Sequence, residues 1–332
     1  SYYTSQSLTN RASDLSALLD SMGQGIQTIK AANEGIESIT EFVQQAKSVA
    51  NQARDEANKV ASSSGMYDST KIEAATKFQL SVTYNGETKS VEVTAPKAAA
   101  NGEEMAAAIQ TALEKLTFGT PATALGGDVF EVTYEDDAFK MTSANGEEAK
   151  ISFEVGGAKM DATAGNANRV KAISQFNDIL DQIDQLAKDS GYKGVNLLGG
   201  TDQSLTVIFN EDRSSNLTIQ GVDASTKGLD ISRVTNWGSN TNIDASIEEV
   251  EDAINELRNM ASEFGNNYSI VQNREDFTEN LINVLEEGSD KLVLADMNEE
   301  SANMLALQTR QQLGVNSLSL ASQAAQAVLK LF

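Results

Sequence analysis

The groups that could do chemistry in this sequence are carboxylates. Glu135-Asp136-Asp137 packs three acids into one tight connection, and Asp296–Leu307 opens Asp-Met-Asn-Glu-Glu before an apolar stretch. Clustered acids suit a hard cation such as calcium, or paired acid–base work of the glycosidase type. Neither cluster has the spacing. No D-x-D-x-D-G pattern surrounds Glu135, and Asp296–Leu307 lacks Gly at its sixth position and Glu at its twelfth. The first reads as a solvated turn. The second reads as acids at a helix start, where the helix dipole favours negative charge. His and Cys are both absent, which excludes Ser-His-Asp and Cys-His catalysis, thiol redox chemistry and Cys/His zinc sites. No phosphate-cradling glycine loop is present, and Gly126-Gly127, Gly156-Gly157 and Gly199-Gly200 read as turns. The expectation is a protein that is not an enzyme, with no catalytic, cofactor or metal residue.

Charge narrows the partners. The 332 residues carry 25 Lys and Arg against 48 Asp and Glu, a net −23. Phosphate neutralisation and anionic lipid surfaces both need clustered bases, so neither nucleic acid nor membrane is expected. No apolar run reaches the ~18–20 residues of a membrane span. The length allows two domains, or three small ones, at the usual ~100–200 residues per domain. The chain opens Ser1-Tyr2-Tyr3 without Met, which predicts a fragment or processed product. Asn216-Leu217-Thr218 and Asn267-Tyr268-Ser269 fit a glycosylation pattern that is common by chance.

The only prolines are Pro96 and Pro121. Proline breaks helix interiors, so their confinement separates long helix from mixed structure. Leu8, Ala12, Leu15, Leu19, Met22, Ile26 and Ile29, then Ala32, Ile36, Ile39, Val43, Ala46, Ala50 and Ala53, alternate steps of four and three. That is a coiled-coil seam, disturbed only near Ala32. A second helix is predicted over 167–189 on Ile173, Phe176, Leu180, Ile183 and Ala187. A third begins near Asp244 as N-cap, on Ile247, Val250, Ile254, Leu257, Ala261, Phe264, Tyr268 and Val271. Met22, Phe176 and Phe264 are expected core residues. A last apolar stretch, 301–332, carries Leu305, Leu313, Leu318, Ala321, Ala325, Val328, Leu329 and Phe332, with only Arg310 and Lys330 charged.

Residues 63–167 differ. Lys77–Tyr84 and Lys89–Thr94 alternate around Asn85-Gly86, a strong hairpin signal. Met105–Leu116 is an amphipathic helix. Val129–Tyr134, Phe139–Thr142 and Ile151–Val155 read as strands, with Asn145-Gly146 as a second hairpin turn. This segment holds 8 Lys against 16 Asp and Glu, so it shares the acidity of the whole. Ser204–Phe209 and Asn216–Gly221 form a further hairpin. The expected fold is mainly α: a long antiparallel helical bundle or coiled coil with a β-hairpin, plus an inserted small α+β domain. The domain boundaries are 1–62 and 168–295 for the bundle core (hairpin at about 197–232), 63–167 for the insert, and 296–332 for a C-terminal assembly helix.

Long apolar seams need partners. Three can bury one another within the chain. The terminal stretch has no obvious cover, and reads either as a fourth bundle helix or as an assembly helix.

At this point the residues resemble bacterial flagellin. The first match is Gly25-Ile26-Gln27-Thr28-Ile29-Lys30-Ala31-Ala32-Asn33-Glu34-Gly35-Ile36, leading into Ala46–Gln52. The second is Leu180–Leu198, with Tyr192-Lys193-Gly194-Val195-Asn196-Leu197-Leu198 before the hairpin. The third is Asp296-Met297-Asn298-Glu299-Glu300-Ser301-Ala302, Leu305–Gly314 and Ser317–Phe332. The closing Leu331-Phe332 predicts an intact natural C-terminus. The resemblance covers roughly two thirds of the chain. It implies a motility filament subunit whose paired terminal helices form the inner layers of a tube. It also implies an extracellular location after export through the flagellar secretion channel. The implied partners are the chain itself, an export chaperone, and cap and hook-associated proteins. It further implies that the family's extreme N-terminal segment, the partner of the last helix, is missing here, and that the outer domain is inserted at an unusual place, 63–167. Responsive flagellins carry a central Arg where the innate flagellin receptor binds. Gln45 stands there, beside Gln44 and Lys47, which weighs against recognition.

The expected assembly residues are Leu313, Leu318, Val328, Leu329 and Phe332. The expected bundle core is Ile26, Ile29, Ile36, Ile254, Leu257 and Phe264. The hook–filament junction protein shares such helical ends and stays open as an alternative. A glycan-binding module in 63–167 is the other, but glycan sites want exposed aromatics, and this segment offers only Tyr67, Phe78, Tyr84, Phe118, Phe130, Tyr134, Phe139 and Phe153, most of which alternate as strand-core residues.

Overall fold

A computed structural model describes residues 2–125 and 127–331. Gly126, expected in a turn, and Phe332, expected at the assembly surface, lie outside the described residues. In chain order the main elements are α1 (Tyr2–Asp55), β1 (Ala61–Ser62), β2 (Lys77–Tyr84), β3 (Glu87–Thr94) and α2 (Gly102–Glu114). Then follow β4 (Thr117–Phe118), β5 (Thr123–Ala124), β6 (Phe130–Glu135), β7 (Ala138–Ser143), β8 (Ala149–Val155) and β9 (Ala158–Ala164). The chain closes with α3 (Ala167–Asp189), β10 (Ser204–Ile208), β11 (Asn216–Gln220) and α4 (Asn240–Leu331). The fold is mainly α, with antiparallel long helices, a β-hairpin and an inserted α+β domain.

The chain divides into two compact units. One comprises Ser1–Lys30, Ser204–Gln220 and Phe264–Phe332, the other Ala31–Gln203 and Gly221–Glu263. In the first, Ala12 and Leu15 pack against Ile282 and Leu285, with Leu8, Leu18, Leu19 and Leu281 around them. Phe264, Val271, Thr278, Ile282, Leu285 and Ser289 are the buried positions of α4 in this unit, at steps of seven, seven, four, three and four. That spacing is the heptad seam read from α1. Near its end the seam turns polar. Ser5 Oγ lies 2.8 Å from Ser289 Oγ, and Thr9 Oγ1 lies 2.9 Å from the same atom. The two-stranded β10–β11 hairpin belongs to this unit.

In the second unit α1, α3 and α4 bury Ile36, Ile39, Val43, Ala46 and Ala50, then Phe176, Leu180 and Ile183, then Ile243, Val250 and Leu257. Trp237 is fully buried, edge-on to Phe176 at 5.0 Å. Arg54 pairs with Asp244 and Lys47 with Glu251, so α1 and α4 run antiparallel here. Asp244 is therefore not the expected N-cap. The helix begins at Asn240, and Ser239 Oγ accepts the Asn242 N–H at 3.1 Å in the capping role.

The insert has its own core, in which Met105, Ile109 and Leu113 of α2 pack with Phe130, Phe139 and Phe153. Asn101 and Glu104 form a reciprocal capping box that starts α2. One sheet has the order β3-β2-β8-β9, the other β1-β7-β6. Asn85-Gly86 makes the expected turn with φ of 51° and 79°. Asn145-Gly146 does not. It links β7 to β8, which lie in different sheets, and Asn145 Oδ1 accepts the Glu147 N–H at 3.0 Å instead. The hairpin turns of this region are Asp136-Asp137, at φ of 54° and 60°, and Gly156-Gly157, at 55° and 86°. Strand pairing also begins earlier than residue 63, because Ala61 and Ser62 pair with Met141 and Lys140.

Asp296 is not at a helix start. It lies inside α4, which runs unbroken from Asn240 to Leu331 because no proline interrupts it and isolated glycines cost only ~1 kcal/mol each. Two helical glycines give opposite forecasts. A Cβ on Gly265 meets nothing within 4 Å, so Gly265→Ala should raise stability by roughly 0.5–1 kcal/mol. A Cβ on Gly35 would lie 2.1 Å from Ser190 Oγ and 2.6 Å from Leu198 Cδ1. There, overpacking of ~1–3 kcal/mol outweighs the propensity gain, and Gly35→Ala should destabilise. Urea midpoints of the two variants should move in opposite directions.

Candidate assembly surface

The pairing of α1 with α4 reaches the Ser5–Ser289 hydroxyl contact, and α4 then continues. Every residue from 297 to 330 is exposed. Among them Met304 is 57% exposed, Leu305 65%, Leu313 60%, Leu318 72% and Leu329 74%. Apolar exposure on this scale marks an interaction surface. The side chains do not form one stripe. At 100° per residue, Met297, Met304, Val315, Leu318 and Leu329 share one face, while Leu305, Leu313 and Leu320 lie on other sides. A helix apolar around its circumference suits a site enclosed by several neighbours rather than by one. Beyond Glu299 and Glu300 at its start, Arg310 and Lys330 are its only charges, in a chain of net −23.

Of the expected assembly residues, the structure places Leu313, Leu318, Val328 and Leu329 together on this exposed segment. Of the expected bundle core, Ile26, Ile29 and Phe264 are buried in the first unit, and Ile36, Ile254 and Leu257 in the second. Those six residues are divided between the two units, three in each.

Sequence reading missed Arg169. Its side chain lies where α1 ends, α3 begins and the insert rejoins the helices, and it is 3% exposed. Nε donates to Glu56 O at 2.7 Å and to Ala53 O at 3.2 Å, Nη1 donates to Trp237 O and Gly238 O at 3.1 Å each, and Nη2 donates to Asn240 Oδ1 at 2.5 Å. Burial, then the nearby Arg54 charge, pushes its pKa down, with Glu56 opposing. Asn58 and Asn166 complete the joint. Asn58 Nδ2 reaches Ser143 O and Gly238 O, and Asn166 Nδ2 reaches Glu56 Oε2 and Ala57 O. A lone Arg in the first turn of a helix was the available signal.

Among the described residues no group of three or more acidic side chains is placed to hold a metal ion. A cleft of about 610 Å³ in the insert is lined by Tyr84, Glu147, Lys150 and Lys171. There Tyr84 Oη donates to Glu147 Oε2 at 2.9 Å, and burial, reinforced by that carboxylate, pushes the phenol up to about 12. At neutral pH it stays a donor and cannot serve as a base. None of the eight aromatic residues weighed for a glycan platform is exposed. No helix among the described residues is long and apolar enough to cross a membrane.

These features define a protein of antiparallel helical ends, an inserted α+β domain, and a terminal helix left bare. Residues 247–332 match the bacterial flagellin C-terminal helical region. A flagellin of Brucella melitensis is 31% identical over 180 residues, which cover 51% of this chain and 64% of the relative. Flagellin FljK of Caulobacter vibrioides is 29% identical over 175 residues, 53% and 64% of the two chains. Flagellin C of Rhizobium meliloti is 43% identical over 86 residues, 26% of this chain and 27% of its own. Over these stretches the chain is similar to the bacterial flagellins, and residues 247–332 match their C-terminal helical region. It spans 64% of the length of the first two relatives.

Proposed function

We propose that this chain is a structural subunit of the bacterial flagellar filament, self-assembling into a helical tube through its terminal helices. The observation that carries the reading is the bare apolar helix from 297 to 330, which falls wholly within the flagellin-matching region. In this reading Leu313, Leu318, Val328 and Leu329 pack in the inner layer between copies, while the two buried groups hold each subunit rigid. Residues 63–167 form an outer domain. The subunit works outside the cell after export through the flagellar channel, with a chaperone, cap and hook-associated proteins as accessory partners. Its role is mechanical rather than catalytic. The relatives named above are flagellins, which gives the hook–filament junction reading no support.

The test is electron microscopy and sedimentation in ammonium sulfate, which strengthens apolar burial. Extended at its N-terminus by the corresponding segment of a flagellin, the chain should polymerise, and L313S/L318S/L329S in the same extended chain should stay monomeric with unchanged helix content by circular dichroism. A chain that remains monomeric throughout, or a triple variant that polymerises equally, would sink the reading.

A further inference from the structure

A second apolar face lies on α4, before the bare segment begins. Ile270 is 44% exposed, Phe277 56% and Val284 62%, at seven-residue spacing, so the three line one side of the helix beside the buried seam. Arg274 sits among them. Its guanidinium lies 4.7 Å from the Phe209 ring centroid and 5.6 Å from that of Phe277. Its Nε is buried and makes no hydrogen bond. The acids next to it in sequence are turned elsewhere: Glu275 Oε1 and Asp276 Oδ1 each accept from Gln272 Nε2, at 3.4 and 3.3 Å. Arg274 enters no ion pair among the described residues. A guanidinium fixed between two rings, with its terminal N–H groups open, is prepared to receive a carboxylate bidentately. Aromatic residues and Arg on an exposed apolar stripe are the usual anchors of a protein interface.

The complement is present on α1 of the same unit. Ser13, Asp14, Ser16, Ala17, Asp20 and Ser21 are all exposed. They make a low surface into which an apolar ridge can settle, with two carboxylates that enter no ion pair among the described residues. We infer that the Ile270–Phe277–Val284 ridge of one copy docks on this α1 face of a second copy, with Arg274 clasping Asp20 across the contact. The occupant's identity rests on the self-assembly reading above, but the contact is separate from the terminal helix. It is a heterologous contact, one patch against a different patch, and such contacts propagate into rings or filaments rather than closing as dimers.

The absence of Cys in the chain permits a direct test. Ile270→Cys is mixed under mild oxidation with Ala17→Cys or with Gln24→Cys, which flank Asp20 on either side. One of the two mixtures should give a disulfide between unlike chains, faster than either single variant bonds to itself. Arg274→Glu on the first chain should slow that bond roughly tenfold, and Asp20→Arg on the second should restore it. Bonding only between like chains, no bond in either mixture, or a rate indifferent to both charge changes would overturn the inference. Microscopy of the extended chain separates the two readings. Filaments without the unlike bond would reject this contact alone. The unlike bond without filaments would reject the filament alone.

Discussion

Arg169→Met should destabilise the protein by about 3–5 kcal/mol, a range set by leaving several buried acceptors without their charged donor. Met keeps the apolar stem and removes every N–H. The carbonyls of Ala53, Glu56, Trp237 and Gly238 and the amide oxygen of Asn240 then lose that partner. Two of these carbonyls close the end of α1, where backbone acceptors have no helical partner. Burial and the Arg54 charge both disfavour the cation, so the ring of acceptors is what holds it in place. Arg169→Lys should recover less than half of the loss, because an ammonium cannot span three directions as a planar guanidinium does. Urea unfolding followed by Trp237 fluorescence reads both variants, since this is the one Trp in the sequence. A loss below 1 kcal/mol for Arg169→Met would show that the ring resolvates freely.

The sequence made some parts of this architecture legible and hid others, for physical reasons. The bounds of α3, 167–189, were readable because its apolar stripe is regular and glycines follow. β2 was readable because Asn85-Gly86 can adopt the two positive φ angles that a tight hairpin needs. The same dipeptide at Asn145-Gly146 misled, since a turn signal does not say whether the flanking strands share a sheet. β9 was missed because Ala158, Met160, Ala162 and Ala164 alternate as mostly small residues, a weak hydrophobic signal, although Ala158, Met160 and Ala164 are buried. The bare helix was legible as an apolar stretch without obvious cover, but not as the continuation of α4, because the acids at 296–300 read as a helix start. Arg169 and Arg274 were not legible. One is defined by acceptors from two separate segments, 53–56 and 237–240, and the other by two rings, and neither arrangement leaves a spacing in the chain. Local pattern reports which face a residue occupies. It does not report which distant backbone groups converge on that residue.

Trp237→Ala should cost about 3–5 kcal/mol, the range for emptying a large aromatic site in a core that cannot collapse fully. Trp237 is fully buried, stands edge-on to Phe176 at 5.0 Å, and donates its Nε1–H to Ser246 Oγ at 3.0 Å. Trp237→Phe keeps much of the ring contact and loses only the donor. Ser246 Oγ still donates to Asn242 O at 3.4 Å, so this variant should lose roughly 1–2 kcal/mol. Because the substitution removes the fluorophore, circular dichroism at 222 nm is the readout. The two largest forecasts are coupled, since Trp237 O accepts from Arg169 Nη1. The double variant Arg169→Met/Trp237→Ala should therefore fall short of the summed losses by about 0.5–3 kcal/mol, the size expected for contacting residues. Simple additivity would mean that ring and indole stabilise the joint independently. Both residues lie in the second unit, so the first unit should keep its own transition in every one of these variants. A single common transition that shifts as a whole would show that the continuous helices α1 and α4 transmit the loss along their length.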